Sequence, residues 1–164
     1  MSWLLERLRK YKDNRGMMAN LRCVLVDNKK HRAWPALNRL GVRIDDDISA
    51  YVAGLFATHS EETSTGNFGA TCKAIERERG ETRSDDNKLT TTERRVQHLL
   101  AAEGRNELQN RVLRIVLMAK SQGVPVNYEK LVIDMNYWND RTKVKWATAF
   151  WTQSESSSSE EVVL

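Results

Sequence analysis

"LQNRVLRIVLMAKSQGVP", residues 108–125, has the most strongly apolar helical pattern in the chain. Leu108, Val112, Ile115 and Val116 recur at the three- and four-residue spacings that place side chains on one face of an α-helix. Three further apolar residues widen that face: Leu113, Leu117 and Met118. The pattern predicts a central, mostly buried helix, which the closing glycine and proline end.

The same helical spacing recurs on both sides of this segment, and the alternating pattern of a β-strand is not found. One clear example, Ile48, Tyr51, Val52 and Leu55, follows three aspartates at residues 45–47. Acidic residues at this position are typical of a helix start, where they cap the chain and face the positive end of the dipole. The sequence therefore predicts an all-α protein, a compact bundle of about seven to nine helices with short connections.

Local signals also mark the ends of several helices. Thr90 followed by Glu93 matches a capping box, which marks the start of a helix. Gly104 is expected to end that same helix. Pro35 fits the first helical position of a short helix, and Gly41 fits the residue just past its end.

The aromatic residues near the end of the chain belong to "NYEKLVIDMNYWNDRTKVKWATAFW", residues 127–151. Asn127 can cap a first helix, and Asn139 with Asp140 can start a second one. The last helix is expected to turn four residues inward: Val144, Ala147, Phe150 and Trp151. Trp138 is also expected in the core. Trp146 lies one position off this stripe, so it is either a stacking platform or, as we favour, packed against a neighbouring helix or subunit.

The chain divides into a body at residues 1–151 and a tail at residues 152–164. The body has two possible halves, residues 1–75 and 90–151, joined by a charged loop at residues 76–89. Most of that loop, "ERERGETRSDDNK", has no apolar side chain to bury and is expected to be mobile. The tail is acidic and of low complexity, so we expect it to be disordered.

The charge of the chain is unevenly distributed. The whole sequence has a net charge of +4, but the tail holds three glutamates and no cation. The body therefore sets all 26 Lys and Arg against the remaining 19 of the 22 acids, a surplus of seven. A basic body favours a polyanionic partner, chiefly nucleic acid.

No catalytic or cofactor-binding motif is recognisable in the sequence. The three histidines are isolated, glycine-rich phosphate loops are missing, and two cysteines without a CxxC spacing are expected to be buried thiols. We therefore predict that the protein is not an enzyme and has no metal site and no cofactor. Without a signal peptide or an apolar run long enough for a membrane span, it is expected to be cytoplasmic.

Cations recur on the polar faces of the predicted helices. Arg111 and Arg114 are three residues apart and share the polar side of the most apolar helix. We expect a continuous basic groove for nucleic acid, although each cation alone could simply be solvated. Eight residues are the candidates: Arg22, Arg32, Arg94, Arg95, Arg111, Arg114, Arg141 and Lys143. The sharpest expectation is that Arg95, Arg114 and Arg141 share one surface.

Six segments in order along residues 3–151 make the sequence resemble the CasB family, the small subunit of the type I-E CRISPR surveillance complex called Cascade. They are "GMMANLRC" (16–23), "HRAWPALNRL" (31–40), "NFGATCKAI" (67–75), "TTTERRVQHLLAAEGRNEL" (90–108), "RVLRIVLMAKSQGVPVNYEKLVIDMNYW" (111–138) and "DRTKVKWATAFW" (140–151). The resemblance rests on the ordered set, because each segment alone is a helix with a few arginines.

This resemblance implies a non-enzymatic helical subunit that is present as two copies beside the subunits bearing the crRNA. It would steady the crRNA and the target strand and hold the displaced non-target DNA strand of an R-loop. Such a subunit needs only a cationic surface without sequence preference, because base pairing between guide and target reads the sequence.

Two other functions remain open on the sequence. The arginines could contact acidic faces of partner proteins, which would make the chain a protein-interaction scaffold. The chain could also be a small helical DNA-binding regulator, but its most apolar helix pair lacks the exposed polar second helix that such a regulator needs.

Overall fold

The fold was analysed in a computed structural model that describes residues 2–83 and 88–152. Within these ranges every regular element is a helix, and the only bridge between extended residues joins Glu62 to Val126. The all-α prediction is confirmed. Nine α-helices are described: α1 (Ser2–Lys10), α2 (Arg15–Arg22), α3 (Trp34–Leu40), α4 (Asp47–Thr58), α5 (Phe68–Glu78), α6 (Thr91–Leu100), α7 (Arg105–Gln122), α8 (Tyr128–Asn136) and α9 (Asp140–Trp151). Two 3₁₀ segments, Cys23–Leu25 and Asp27–Ala33, connect α2 to α3.

The central helix is α4, not α7 as the sequence predicted. All residues of α4 from 48 to 57 are buried, and the helix packs against α1, α2, α7 and α8. Small residues in α4 let neighbouring elements approach its backbone closely, so this one helix can contact several others. A Cβ on Gly54 would lie only 3.1 Å from the Leu25 side chain, which shows how closely the first 3₁₀ segment approaches α4.

The predicted buried face of α7 is confirmed. The prediction that Leu113, Leu117 and Met118 extend this apolar face is wrong in part. Leu108, Val112, Ile115 and Val116 are buried. Leu117, in contrast, is 46% exposed. It lies about 180° around the helix from the centre of the buried face, so the neighbouring helices cannot cover it.

Helix α9 faces the core with a different stripe from the predicted one. Trp146 is 1% exposed and Phe150 is buried, whereas Val144 is 62% and Trp151 38% exposed. The predicted inward positions of Val144 and Trp151 are wrong, and the preferred packed position of Trp146 is confirmed. The reason lies in Thr142, whose hydroxyl donates to the Tyr137 carbonyl at 2.7 Å and so turns that residue inward.

Helix α9 packs along α5, and the two backbones meet at Gly69. An added Cβ there would lie 2.0 Å from the Trp146 carbonyl oxygen. The amide of Asn67 donates to the Lys145 carbonyl at 3.2 Å, and Lys73 Nζ donates to the Phe150 carbonyl at 3.2 Å. Side-chain hydrogen bonds thus join the two helices on both sides of the closest approach.

The predicted end signals are confirmed with two exceptions. Pro35, predicted at the first helical position, is the second residue of α3, which begins at Trp34. Thr90 and Glu93 form the capping box of α6, and Asp46, Asn127 and Asn139 each accept a backbone N–H at a helix start. Gly104, predicted to stop α6, is instead the residue that precedes α7. Helix α6 ends at Leu100, with Ala101 as its C-cap, and Ala102 in the following connection is buried.

The charged segment at residues 76–89 is more ordered at both ends than predicted. Helix α5 continues through Glu78, and Glu81 is half-buried because its carboxylate accepts from the backbone N–H and the hydroxyl of Thr92. The expectation of mobility for the whole segment is therefore wrong for these residues. Residues 84–87 and the predicted disordered tail, apart from Thr152, lie outside the described residues.

Candidate nucleic-acid interface

The eight candidate cations fall into two groups by their contacts within the protein. Three of them hold other parts of the described chain: Arg22, Arg111 and Lys143. The other five are exposed and make no hydrogen bond or ion pair with a described residue: Arg32, Arg94, Arg95, Arg114 and Arg141. The second group is free to meet an external anion without breaking an internal contact.

Arg22 has a clear role in the fold. Its Nε donates to the carbonyl oxygen of Ala57 at 3.0 Å, near the end of α4. The contact joins α2 to α4 and satisfies a carbonyl in the last turn of a helix, where a cation is favourable. One N–H group of the Arg22 guanidinium is therefore already engaged in a hydrogen bond within the protein.

Arg111 and Lys143 come together around the connection between α6 and α7. Arg111 donates to the His98 carbonyl at 2.7 Å and pairs with Glu107 at 3.2 Å. Lys143 Nζ lies 3.5 Å from a carboxylate oxygen of Glu103, within that connection. It also lies 5.6 Å from the centre of the Trp138 ring.

Trp138 explains why α9 reaches this connection. Its indole N–H donates to the Ala102 carbonyl at 2.9 Å, and its ring packs 4.8 Å from the ring of Trp146. The expected core position of Trp138 is confirmed in part, because the side chain is half-buried.

Arg94 and Arg95 are presented by a rigid helix start. Glu93, 3% exposed, completes the capping box, receives an ion pair from Arg83 and accepts from the Trp151 indole N–H at 2.9 Å. The Arg83 guanidinium, followed by the backbone and Trp151 hydrogen bonds, lowers the pKa of Glu93 to about 2. With Glu93 fixed, the next two side chains leave α6 in defined directions toward solvent.

Arg95 and Arg114 lie on the two helices that the contact between Arg111 and His98 joins. Arg114 follows Arg111 by one turn of α7, and Arg95 precedes His98 by one turn of α6. Both side chains are exposed.

Arg141 and Lys143 do not share a side of α9. Residues two positions apart in an α-helix are separated by about 200° around the helix axis. Because Lys143 turns toward Glu103, Arg141 lies on the opposite flank of α9. Lys145, four residues after Arg141, is exposed on that flank and has no described ion-pair partner. Lys145 was not among the predicted cations, although its spacing from Arg141 was a usable signal.

Arg32 belongs to a different part of the molecule. It lies in the second 3₁₀ segment, beside the exposed Trp34, and is joined by no described contact to the cations of α6, α7 and α9. The five candidate arginines without a described partner therefore do not all lie in one part of the molecule.

The described residues offer little for other chemistry. They contain no group of three His, Cys, Asp or Glu side chains placed to hold a metal ion, and no described helix has the length and apolar character of a membrane span. Cys72 is buried, which raises the pKa of its thiol to about 12. Cys23 is only half-buried, so the expectation of two buried thiols is right for one of them.

An all-helical body with unpaired arginines on several helices places the chain among basic helical proteins. Comparison of the sequence with protein-family models identifies its family. Residues 5–151 match the model of the CRISPR-associated protein Cse2 family. The chain belongs to that family, which confirms the resemblance to CasB.

Solved structures agree on the fold. A CRISPR-associated Cse2 family protein from Thermus thermophilus superposes with a TM-score of 0.71 at 16% identity, covering 90% of this chain and 95% of its own. A structure of CasB from the same species gives 0.67 at 17% identity, with coverage of 92% and 94%. CasB from M. ruber gives 0.55 at 21% identity, with coverage of 80% and 78%. The comparison with curated proteins returns no match.

Proposed function

We propose that this protein is a non-catalytic, nucleic-acid-binding small subunit of a CRISPR Cascade complex in the cytoplasm. The observation that carries the proposal is a set of exposed arginines without a described partner, on a body with surplus positive charge: Arg32, Arg94, Arg95, Arg114 and Arg141. Membership of the Cse2 family supports the CRISPR role.

The chemistry of these residues suits a nucleic-acid backbone. A guanidinium binds phosphate through two parallel hydrogen bonds, and it gains most where no carboxylate already neutralises it. Binding of this kind is independent of sequence and weakens with salt, because each contact releases a condensed counterion. It fits the crRNA, the target strand and the displaced non-target strand of an R-loop, whose sequence is read by base pairing.

Within this proposal, Arg95 and Arg114 meet nucleic acid on one surface, and Arg141 with Lys145 meets it on a second one, along the flank of α9 opposite Lys143. Arg22, Arg111 and Lys143 contribute through their internal contacts, which hold the helices that carry the unpaired arginines. All eight candidate cations still contribute to the positive electrostatic potential around the body at long range.

A separate observation supports contact with other Cascade subunits, including a second copy of this chain. Helices α8 and α9 and the connection between them expose four apolar side chains: Ile133, Tyr137, Val144 and Trp151. Tyr137 is 70% and Val144 62% exposed, and large exposed apolar side chains on neighbouring elements are a feature of protein interfaces. Such an interface can coexist with the basic surface.

Arg114→Ala is expected to weaken binding to single-stranded DNA of unrelated sequences and to reduce the salt slope by about 0.7, because one phosphate contact is lost. The helix content should not change, since the Arg114 side chain is exposed. The measurement is a fluorescence-anisotropy titration of the purified protein at several salt concentrations.

The matched control is Arg43→Ala. Arg43 is also exposed, but its guanidinium is paired with Asp45 at 2.8 Å. We expect little change in its salt slope. Equal effects of the two substitutions would contradict the proposal and favour the scaffold function.

A further inference from the structure

A recess lies between the 3₁₀ segments, α3, the start of α4 and Gln109 of α7. We call it the α3 recess. Its volume is about 220 Å³. Its wall is chiefly apolar, and six of its lining residues matter below: Val24, Lys30, Trp34, Leu37, Ile44 and Tyr51.

The rim of the α3 recess exposes large apolar side chains. Trp34 is 45% and Ile44 52% exposed. The ring of His31 meets the indole of Trp34 at 6.3 Å between centroids and 77° between planes, an edge contact that steadies the indole. Trp34 is therefore a large aromatic surface held at the mouth of a recess.

The buried wall contains a hydrogen-bonding group without a partner. Tyr51 is 5% exposed, and its hydroxyl makes no hydrogen bond to any described residue. Buried polar groups are nearly always paired, so an orphan hydroxyl beside a recess needs an explanation. Burial, with a smaller effect of Asp27, raises the pKa of Tyr51 to about 12, and the phenol stays protonated and able to donate.

The charges around the α3 recess favour an anionic ligand. The carboxylate among its lining residues, Asp47, is paired with Arg105 at 2.7 Å. Arg32, beside Trp34 in the chain, has no described partner. A cation without a described partner thus lies two residues from the exposed indole in the chain.

We propose that the α3 recess binds one base of a single-stranded nucleic acid, stacked on Trp34, with the adjoining phosphate at Arg32. The hydroxyl of Tyr51 donates to an acceptor atom on the edge of the base. This inference rests on the proposed nucleic-acid binding and adds a site for a base to a surface that otherwise contacts phosphates.

Three features select a base over an apolar protein side chain. The recess is smaller than the ~300–1,000 Å³ of pockets that enclose a drug-sized ligand, and it suits a single flat ring. An aliphatic side chain would leave the Tyr51 hydroxyl unpaired, whereas every base carries acceptor atoms on its edge. Exposed tryptophan next to unpaired arginine is also the combination that single-strand binding surfaces use.

The test compares two synthetic strands of equal length, one intact and one with abasic sugars throughout. The abasic strand keeps every phosphate and removes every base. Trp34→Ala is expected to weaken binding of the intact strand by about tenfold and to leave binding of the abasic strand unchanged. Trp34→Phe should retain most of the affinity for the intact strand, because phenylalanine can also stack.

Two further variants sharpen the assignment. Tyr51→Phe keeps the ring and removes the hydroxyl, so it should weaken binding of the intact strand alone. Leu117→Ala is the control, since Leu117 is a large apolar residue, 46% exposed, on another part of the chain. It is expected to bind both strands as the unaltered protein does.

Each contrary result is informative. If Trp34→Ala weakens binding of both strands equally, the base site is overturned, and Trp34 instead supports contacts to phosphates. If Trp34→Ala changes neither strand while Arg114→Ala reduces the salt slope, the base site is wrong and the proposed function stands. If Trp34→Ala instead only prevents assembly with partner subunits, the recess is a protein interface. Absence of binding to either strand by the unaltered protein would overturn both proposals.

Discussion

Gly69→Ala is expected to destabilise the fold by about 3 kcal/mol or more, because the added methyl group has no room. The new Cβ would lie 2.0 Å from the carbonyl oxygen of Trp146 and 2.8 Å from its Cα. Both are backbone atoms of α9, so no side-chain rotation can relieve the clash. Helices α5 and α9 would have to separate, which would open the packing around Trp146.

The measurement is the free energy of unfolding in urea, with Gly16→Ala as the matched control. Gly16 lies in α2, and the nearest atom to an added Cβ there is 3.7 Å away. Because alanine is a better helix former than glycine, Gly16→Ala should be neutral or slightly stabilising. Similar losses in the two variants would contradict the close packing of α5 against α9.

Glu93→Gln is expected to lower the free energy of unfolding near neutral pH by roughly 3 kcal/mol. The substitution removes the buried carboxylate that pairs with Arg83 and accepts from Trp151. The pKa of Glu93 is about 2 in the folded protein against a usual 4.5, so folding favours the ionised form. That stabilisation is complete above pH 4.5 and is lost as the pH falls toward 2.

The pH dependence therefore distinguishes this explanation from a simple packing defect. The stability difference between the unaltered protein and Glu93→Gln should shrink steadily between pH 5 and pH 2. Asp45→Asn provides the control, because its partner Arg43 is exposed and solvent screens the pair. A difference that stays constant with pH would show that the charge of Glu93 is not what stabilises the protein.

The sequence predicts best what depends on neighbouring residues. The capping box of Thr90 and Glu93 and the caps at Asp46 and Asn139 were predictable because the groups involved are three residues apart. Helix existence followed from periodicity for the same reason.

Burial was harder to predict, because it depends on partners far along the chain. Helix α4 is central since Gly54 admits the segment around Leu25, and no local pattern signals that approach. Likewise, Thr142 displaces Val144 from the core by bonding to Tyr137, although valine is the more apolar residue.

The candidate site shows the same limit. The sequence identified the cations but could not separate Arg111, held by His98 and Glu107, from Arg114, which has no described partner. Nor could it indicate that Trp34 borders a recess with an unpaired Tyr51 hydroxyl. Which cations are available for binding is decided by tertiary contacts.

The salt dependence of single-strand binding tests the central claim most directly. It should be measured for the unaltered protein and for a variant with the five candidate arginines that lack a described partner changed to glutamine: Arg32, Arg94, Arg95, Arg114 and Arg141. If each contacts one phosphate, the slope of log affinity against log salt should become shallower by about 3.5, at unchanged helix content. An unchanged slope in a folded variant would contradict the account and leave these arginines as contacts to protein partners.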